Sequence, residues 1–167
     1  LPPPAQAVAT PGTELRRTPR LQSSPRVSVF QAGEDNYTQF RIPVLLSVPS
    51  SPASPASGCV VGPGVLLAFA EGRGRDHTSA ADWGNKHIVT KKSTDEGLSW
   101  GRLVVAANNT YVGAQTDSRN TWVGNPSPVY DDVTGRITLV FVFMTREPFM
   151  TVSTDIGDVS KRTPTNR

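Results

Sequence analysis

The side chains able to do chemistry are few, and their types already exclude several reactions. There is one cysteine, Cys59, and there are two histidines, His77 and His87. A disulfide framework needs a second cysteine, and zinc needs more ligands than these three provide in any recognised spacing. Cys59 stands between Gly58 and Val60, where it reads as a small core residue, and neither histidine has a thiol-protease context. The densest group of functional types is the octet S-T-D-E-G-L-S-W, residues 93–100. Asp95 reads either as a catalytic acid or as a turn former whose carboxylate folds back onto nearby backbone N–H groups. Gly97 supplies a positive φ without steric cost, and Trp100 offers a large apolar cover. Together they predict a self-contained hairpin turn with a structural task.

The elements that must hold such a turn are strands. The chain has 167 residues, 37% of them apolar, with fifteen prolines and fourteen glycines. That composition suits short strands joined by tight turns. Alternation or apolar β-rich runs predict strands at V-S-V-F (27–30), F-R-I-P-V-L-L-S-V (40–48), G-V-L-L-A-F-A-E (64–71), I-V-T-K-K-S (88–93), R-L-V-V-A (102–106), P-S-P-V-Y (126–130) and R-I-T-L-V-F-V-F (136–143). Pro43 removes a ladder donor, which makes the first part of its strand an edge or a strand entry. D-D-V-T-G-R, with Asp131, Asp132 and Gly135, is a turn. No window carries a helical apolar stripe, so the fold class is all-β: a sandwich, barrel or propeller. Residues 1–25 are expected to be a disordered Pro-rich arm, 49–58 a low-complexity loop and 161–167 a polar tail without strand pattern.

The net charge is +3, and Arg16, Arg17 and Arg20 are the only basic cluster. No basic run interleaved with aromatics predicts nucleic-acid binding. No apolar run approaches the ~20 residues of a membrane span. The sequons Asn36-Tyr37-Thr38 and Asn108-Asn109-Thr110 permit glycosylation in a secretory setting.

The octet's S-x-D-x-G-x-x-W spacing resembles the Asp box of the sialidase (neuraminidase) superfamily. F-R-I-P (40–43) resembles that family's motif ahead of the first box, and L-L-A-F-A-E-G-R (66–73) the strand that follows it. A second, degenerate box reads at S-T-D-I-G-D-V-S (153–160), with Ser160 in the aromatic position. The resemblance covers about residues 26–160 and implies a six-bladed β-propeller. At roughly 40–50 residues per blade, this length holds two to three blades, so a truncated propeller is expected.

The family is an exo-α-sialidase family, glycoside hydrolases that remove terminal sialic acids, as in ganglioside catabolism. The resemblance implies sialylated glycans as partners (glycoproteins, glycolipids, oligosaccharides), with no cofactor and no metal. It places Arg41 on the sialic carboxylate, which a rigid guanidinium fork suits. It places Arg73 near the sugar hydroxyls, with Arg75 as an alternative because i and i+2 share a strand face. The acid/base is Asp82 in D-W-G-N-K-H-I-V, ahead of the Asp-box strand; Asp76 lacks that downstream pattern. Asn125, in G-N-P-S-P-V-Y-D, is implied near the N-acetyl pocket, or else opens a strand-entry turn. Trp122 lines the same rim or anchors the core. Sialidases use a tyrosine nucleophile, yet Tyr37, Tyr111 and Tyr130 do not match its position, so the chain alone is expected to be inactive. The alternative is a non-catalytic sialidase-like fragment or carbohydrate-binding module. An unrelated Asp-box propeller of the sortilin type is disfavoured by F-R-I-P and Asp82. Localisation stays open, with secreted, lysosomal or membrane-associated settings preferred.

Overall fold

A computed structural model describes residues 26–49, 64–75, 80–108, 122–143, 147–153 and 163–164. Its strands are β1 (Gln39–Val48), β2 (Val65–Arg73), β3 (Lys86–Ser93), β4 (Val104–Ala107), β5 (Val123–Asp131), β6 (Arg136–Phe143), β7 (Glu147–Ser153) and β8 (Thr163–Pro164). They form two four-stranded sheets in the orders β1-β2-β3-β4 and β5-β6-β7-β8. Every pairing is antiparallel and joins sequence neighbours. A 3-10 turn, Glu34–Asn36, precedes β1.

The two sheets face each other across one apolar core. Val48, Leu67, Phe69, Ile88, Ala106 and Ala107 of the first meet Val123, Ile137, Leu139 and Phe141 of the second. Side chains alternate along a strand, so Leu67 and Phe69 share their face of β2 with Glu71 and Arg73. The other face of the first sheet buries Tyr37, Ala70 and Val89, with Phe30, Phe40, Leu103 and Val105 packed on them. β2 and β3 are buried along most of their lengths, as expected of strands covered on both faces.

Two expectations need adjustment. Residues 27–30 do not form a strand. Alternation there creates an apolar contact, with Phe30 stacked on Phe40 at 5.1 Å, but backbone pairing needs a neighbouring strand. The chain turns instead at Gln31–Tyr37, whose amides bond locally (Glu34 to Gln31 O, Tyr37 to Glu34 O). Conversely, Thr163–Pro164 pairs with Thr151 and Val152 of β7, although the tail shows no strand pattern. β1 is indeed an edge strand, and Pro43 falls where its register with β2 shifts, between Arg41 and Val44. The Pro-rich arm at 1–25, most of the loop at 49–58, Cys59, Asp76, His77, Tyr111 and nearly all of the second box lie outside the described residues.

The octet is the turn between β3 and β4. The Ser93 hydroxyl donates to Asp95 Oδ1 at 2.7 Å and accepts from the Gly97 amide at 2.9 Å. Asp95 in turn accepts from the Ser99 amide at 2.9 Å and from the Ser99 hydroxyl. Gly97 has φ +89. These bonds hold the Asp95 carboxyl down to about 2, and every one of them stays inside the turn. Asp131 repeats the device between β5 and β6, accepting from the Val133 amide at 2.9 Å and from Thr134.

Candidate active site

At one end of the interface between the sheets, the apolar stripe becomes ionic. On β2, Leu67 and Phe69 are followed on the same face by Glu71 and Arg73. On β3, Lys86 shares a face with Ile88 and stands opposite Arg73 in register. Glu71, Arg73 and Lys86 are all buried, at 1%, 3% and 3% exposure. Such burial is tolerable only with paired charges and filled lone pairs, and the arrangement supplies both. Arg73 Nε donates to Glu71 Oε2 at 2.9 Å, and a terminal nitrogen completes a two-point contact with the same oxygen. Lys86 Nζ lies 3.5 Å from Glu71 Oε2. The other oxygen, Oε1, accepts from the Asn125 amide on β5 at 2.9 Å. Glu71 therefore ties the two sheets together. A Cβ on Gly124 would stand 2.5 Å from that oxygen, so glycine is needed there for the approach.

The remaining terminal nitrogen of Arg73 donates to Asp82, whose side chain is 70% exposed. Asp82 sits on a turn closed by the Gly84 amide on Ala81 O at 2.9 Å. Its carboxyl lies below the usual range, chiefly through the Arg73 hydrogen bond and charge, helped by the charges of Lys86 and Arg41. Burial pulls Arg73 down, but Glu71 and Asp82 outweigh it and the guanidinium ends raised. Desolvation lowers Lys86 despite the attraction of Glu71. Its Nζ rests 3.8 Å from the centre of the Trp122 ring, a cation–π contact.

Above this floor opens a cleft of about 430 Å³ lined by Ile42, Glu71, Arg73, Asp82, Trp83, Lys86, Trp122 and Asn125. Ile42 and Asn125 have φ of +52 and +54, unusual for non-glycine residues. Each lies within a register shift of the first strand of its sheet, and each precedes a proline. The same local device thus delivers one residue from each sheet to the cleft, a form of strain that gathers at functional sites.

Four of the residues singled out from sequence meet here: Arg73, Asp82, Trp122 and Asn125. Arg41 stands at the margin, exposed, opposite Glu71 in the β1–β2 register, with its charge felt at Asp82. Arg75 goes elsewhere. The strand ends at Arg73, and Arg75 lies over the Tyr37 ring at 5.8 Å and near His87. Tyr37 is buried, with its hydroxyl 2.8 Å from His87 Nδ1. No described tyrosine lines the cleft, and no group of three or more His, Cys, Asp or Glu among the described residues could hold a metal. Sequence reasoning missed Glu71, Lys86 and Trp83. The one available signal was charge in an otherwise apolar strand, at Glu71 within A-F-A-E-G-R.

Two antiparallel four-stranded sheets, packed face to face with a cleft where their first strands meet, define blades of an all-β propeller. Among solved structures the chain is similar to the Hadza microbial sialidase Hz136, with TM-score 0.56 and 20% identity over 75% of this chain and 25% of that one. Among curated proteins it is similar to Sialidase-3 of Rattus norvegicus, 31% identical over 119 residues, which is 70% of this chain and 23% of that protein. No family model matches. The chain is thus related to the sialidase superfamily over part of its length, and it spans about a quarter of the relatives it matches. Among the described residues no helix is long and apolar enough to cross a membrane.

Proposed function

We propose that residues 26–160 form the first part of the sialic-acid site of an exo-α-sialidase, acting on sialylated glycoproteins, glycolipids or oligosaccharides. The observation that carries this reading is the Arg73–Asp82 pair at the mouth of a cleft whose rim also presents Asn125. An exposed carboxylate there can reach a glycosidic oxygen, donate its proton and later activate water. Arg41 is the guanidinium that a ligand carboxylate can take, because no ion pair of Arg41 is present among the described residues. Arg73 is held on two sides by Glu71 and Asp82. Its first task is to orient Asp82, and it meets the sugar's polar groups as Asp82 moves to the leaving oxygen. Asn125 faces the sugar from the second sheet. The tyrosine nucleophile of such a reaction comes from outside the described residues.

The depressed carboxyl of Asp82 bears on the chemistry. A general acid must carry its proton, so donation falls as pH rises through the Asp82 pKa. The free site therefore favours acidic conditions.

The test is titration calorimetry with free sialic acid. Arg41→Ala should weaken binding by about 2 kcal/mol, roughly thirtyfold, if the carboxylate pairs with it in a desolvated contact. Unchanged affinity would refute the assignment of Arg41. The cleft's lack of a described tyrosine favours a second reading, a sialic-acid-binding module without turnover. Binding by the 167-residue chain with no hydrolysis of an aryl sialoside supports that for this chain, whereas hydrolysis by it overturns it.

A further inference from the structure

We propose that Trp83 is a platform for the second sugar, the neutral hexopyranose to which the terminal sialic acid is linked, so that the cleft reads the leaving group as well as the acid. This rests on the sialidase reading of the cleft. Trp83 is 74% exposed, yet it lines the cleft beside Asp82. A lone surface indole needs no explanation; one at the rim of a charged cleft, next to the proton donor, does. The cleft has two indoles, and they differ. Trp122 already carries the Lys86 ammonium on its face. No aromatic or cation–π partner of Trp83 occurs among the described residues, and its ring is open to solvent.

The position follows from the reaction. The oxygen that receives the Asp82 proton joins the sialic acid to the next sugar, so it must come within hydrogen-bond reach of the carboxylate. The charged floor of Arg73, Lys86 and Glu71 takes one side of that bond. Trp83 is the next residue along the same turn, one Cα step of about 3.8 Å from Asp82, and lies at the solvent side. A hexopyranose such as a galactoside has one face of C–H bonds and a rim of hydroxyls. An exposed indole face flanked by polar groups suits such a ring, because it covers the C–H face while the hydroxyls stay hydrated.

The experiment compares Trp83→Ala and Trp83→Phe with the unaltered full-length protein, using three probes: free sialic acid, sialyllactose and lactose. Binding is read by calorimetry and by saturation-transfer NMR. Trp83→Ala should weaken sialyllactose about fivefold to twentyfold, leave free sialic acid within twofold and abolish saturation transfer to lactose. Trp83→Phe should restore most of the loss. Equal losses on sialic acid and sialyllactose, or no loss on either, would overturn the platform while leaving the sialidase reading intact. Trp83-dependent lactose binding with no sialic-acid binding would support the platform and overturn the sialidase reading. Failure of the unaltered protein to bind any probe would overturn both.

Discussion

Asp95, half-buried, and Asp82, exposed, are both carboxylates with lowered pKa values, and the causes have little in common. Asp95 is held by Ser93, Ser99 and backbone amides of its own turn. Asp82 is held by a guanidinium from another strand, which a buried glutamate fixes from behind. The first carboxylate is committed to its own turn, with three accepted hydrogen bonds from Ser93 and Ser99. The second is poised, since its single strong partner can be exchanged for a ligand. The contrast separates an aspartate whose partners all lie in its own turn from one whose partner lies at the edge of a cleft.

The sharpest test of that contrast is turnover. Under the proposed acid/base role, Asp82→Asn should lower the kcat of sialoside hydrolysis by about 10²–10⁴-fold, with little change in thermal stability. Asp95→Ala should do the reverse, lowering the melting temperature while leaving kcat of the folded fraction unchanged. Retained turnover in Asp82→Asn would erase the distinction.

Next comes the support behind Asp82. Glu71→Gln leaves Lys86 buried without its paired carboxylate and Arg73 with Asp82 alone, and should destabilise by about 3–5 kcal/mol, read by urea denaturation. Gly124→Ala drives a methyl against the same carboxylate and should cost about 1–3 kcal/mol. A neutral effect at both positions would mean that the tie between the sheets contributes nothing to stability.

Smaller, but more diagnostic, is the pH response. Arg73→Gln removes the main cause of the low Asp82 pKa, so the alkaline limb of kcat/KM should move to higher pH; an unmoved limb would disconnect Asp82 from proton donation. For Asp95 the sign concerns stability. Its pKa falls from 3.8 to about 2 on folding, so its contribution is complete above about 4 and disappears as pH drops towards about 2. Asp95→Asn should flatten the acid side of the stability curve in that window and nowhere else.

The same contrast explains what the sequence made legible. The Asp95 and Asp131 turns could be read because all their partners lie within four residues, where spacing determines geometry. The all-β class and the strands β1 to β6 followed from alternation and apolar runs, and Pro43 marked its edge, whereas β7 (Glu147–Ser153) and β8 were not read from the sequence. Alternation misled at 27–30 because it describes which face is apolar and not whether a neighbouring backbone exists. The Glu71 cluster was illegible for a different reason. Glu71 and Asn125 are 54 positions apart, and only the packing of one sheet on the other brings them together. Arg73 could be told from Arg75 only once the strand was seen to end between them.

The bond from Asn125 to Glu71 also sets an order of events. The first sheet contains Arg73, Asp82 and Lys86, and local strand pairing is enough to bring them near one another. Half of the Glu71 carboxylate, however, waits for an amide from the second sheet. Until that sheet docks, Glu71 is free to turn towards water and the guanidinium beside it has no fixed aim. The cleft is thus completed only by the packing of both sheets, since Glu71, which holds the guanidinium partner of Asp82, is itself fixed in part by the second sheet.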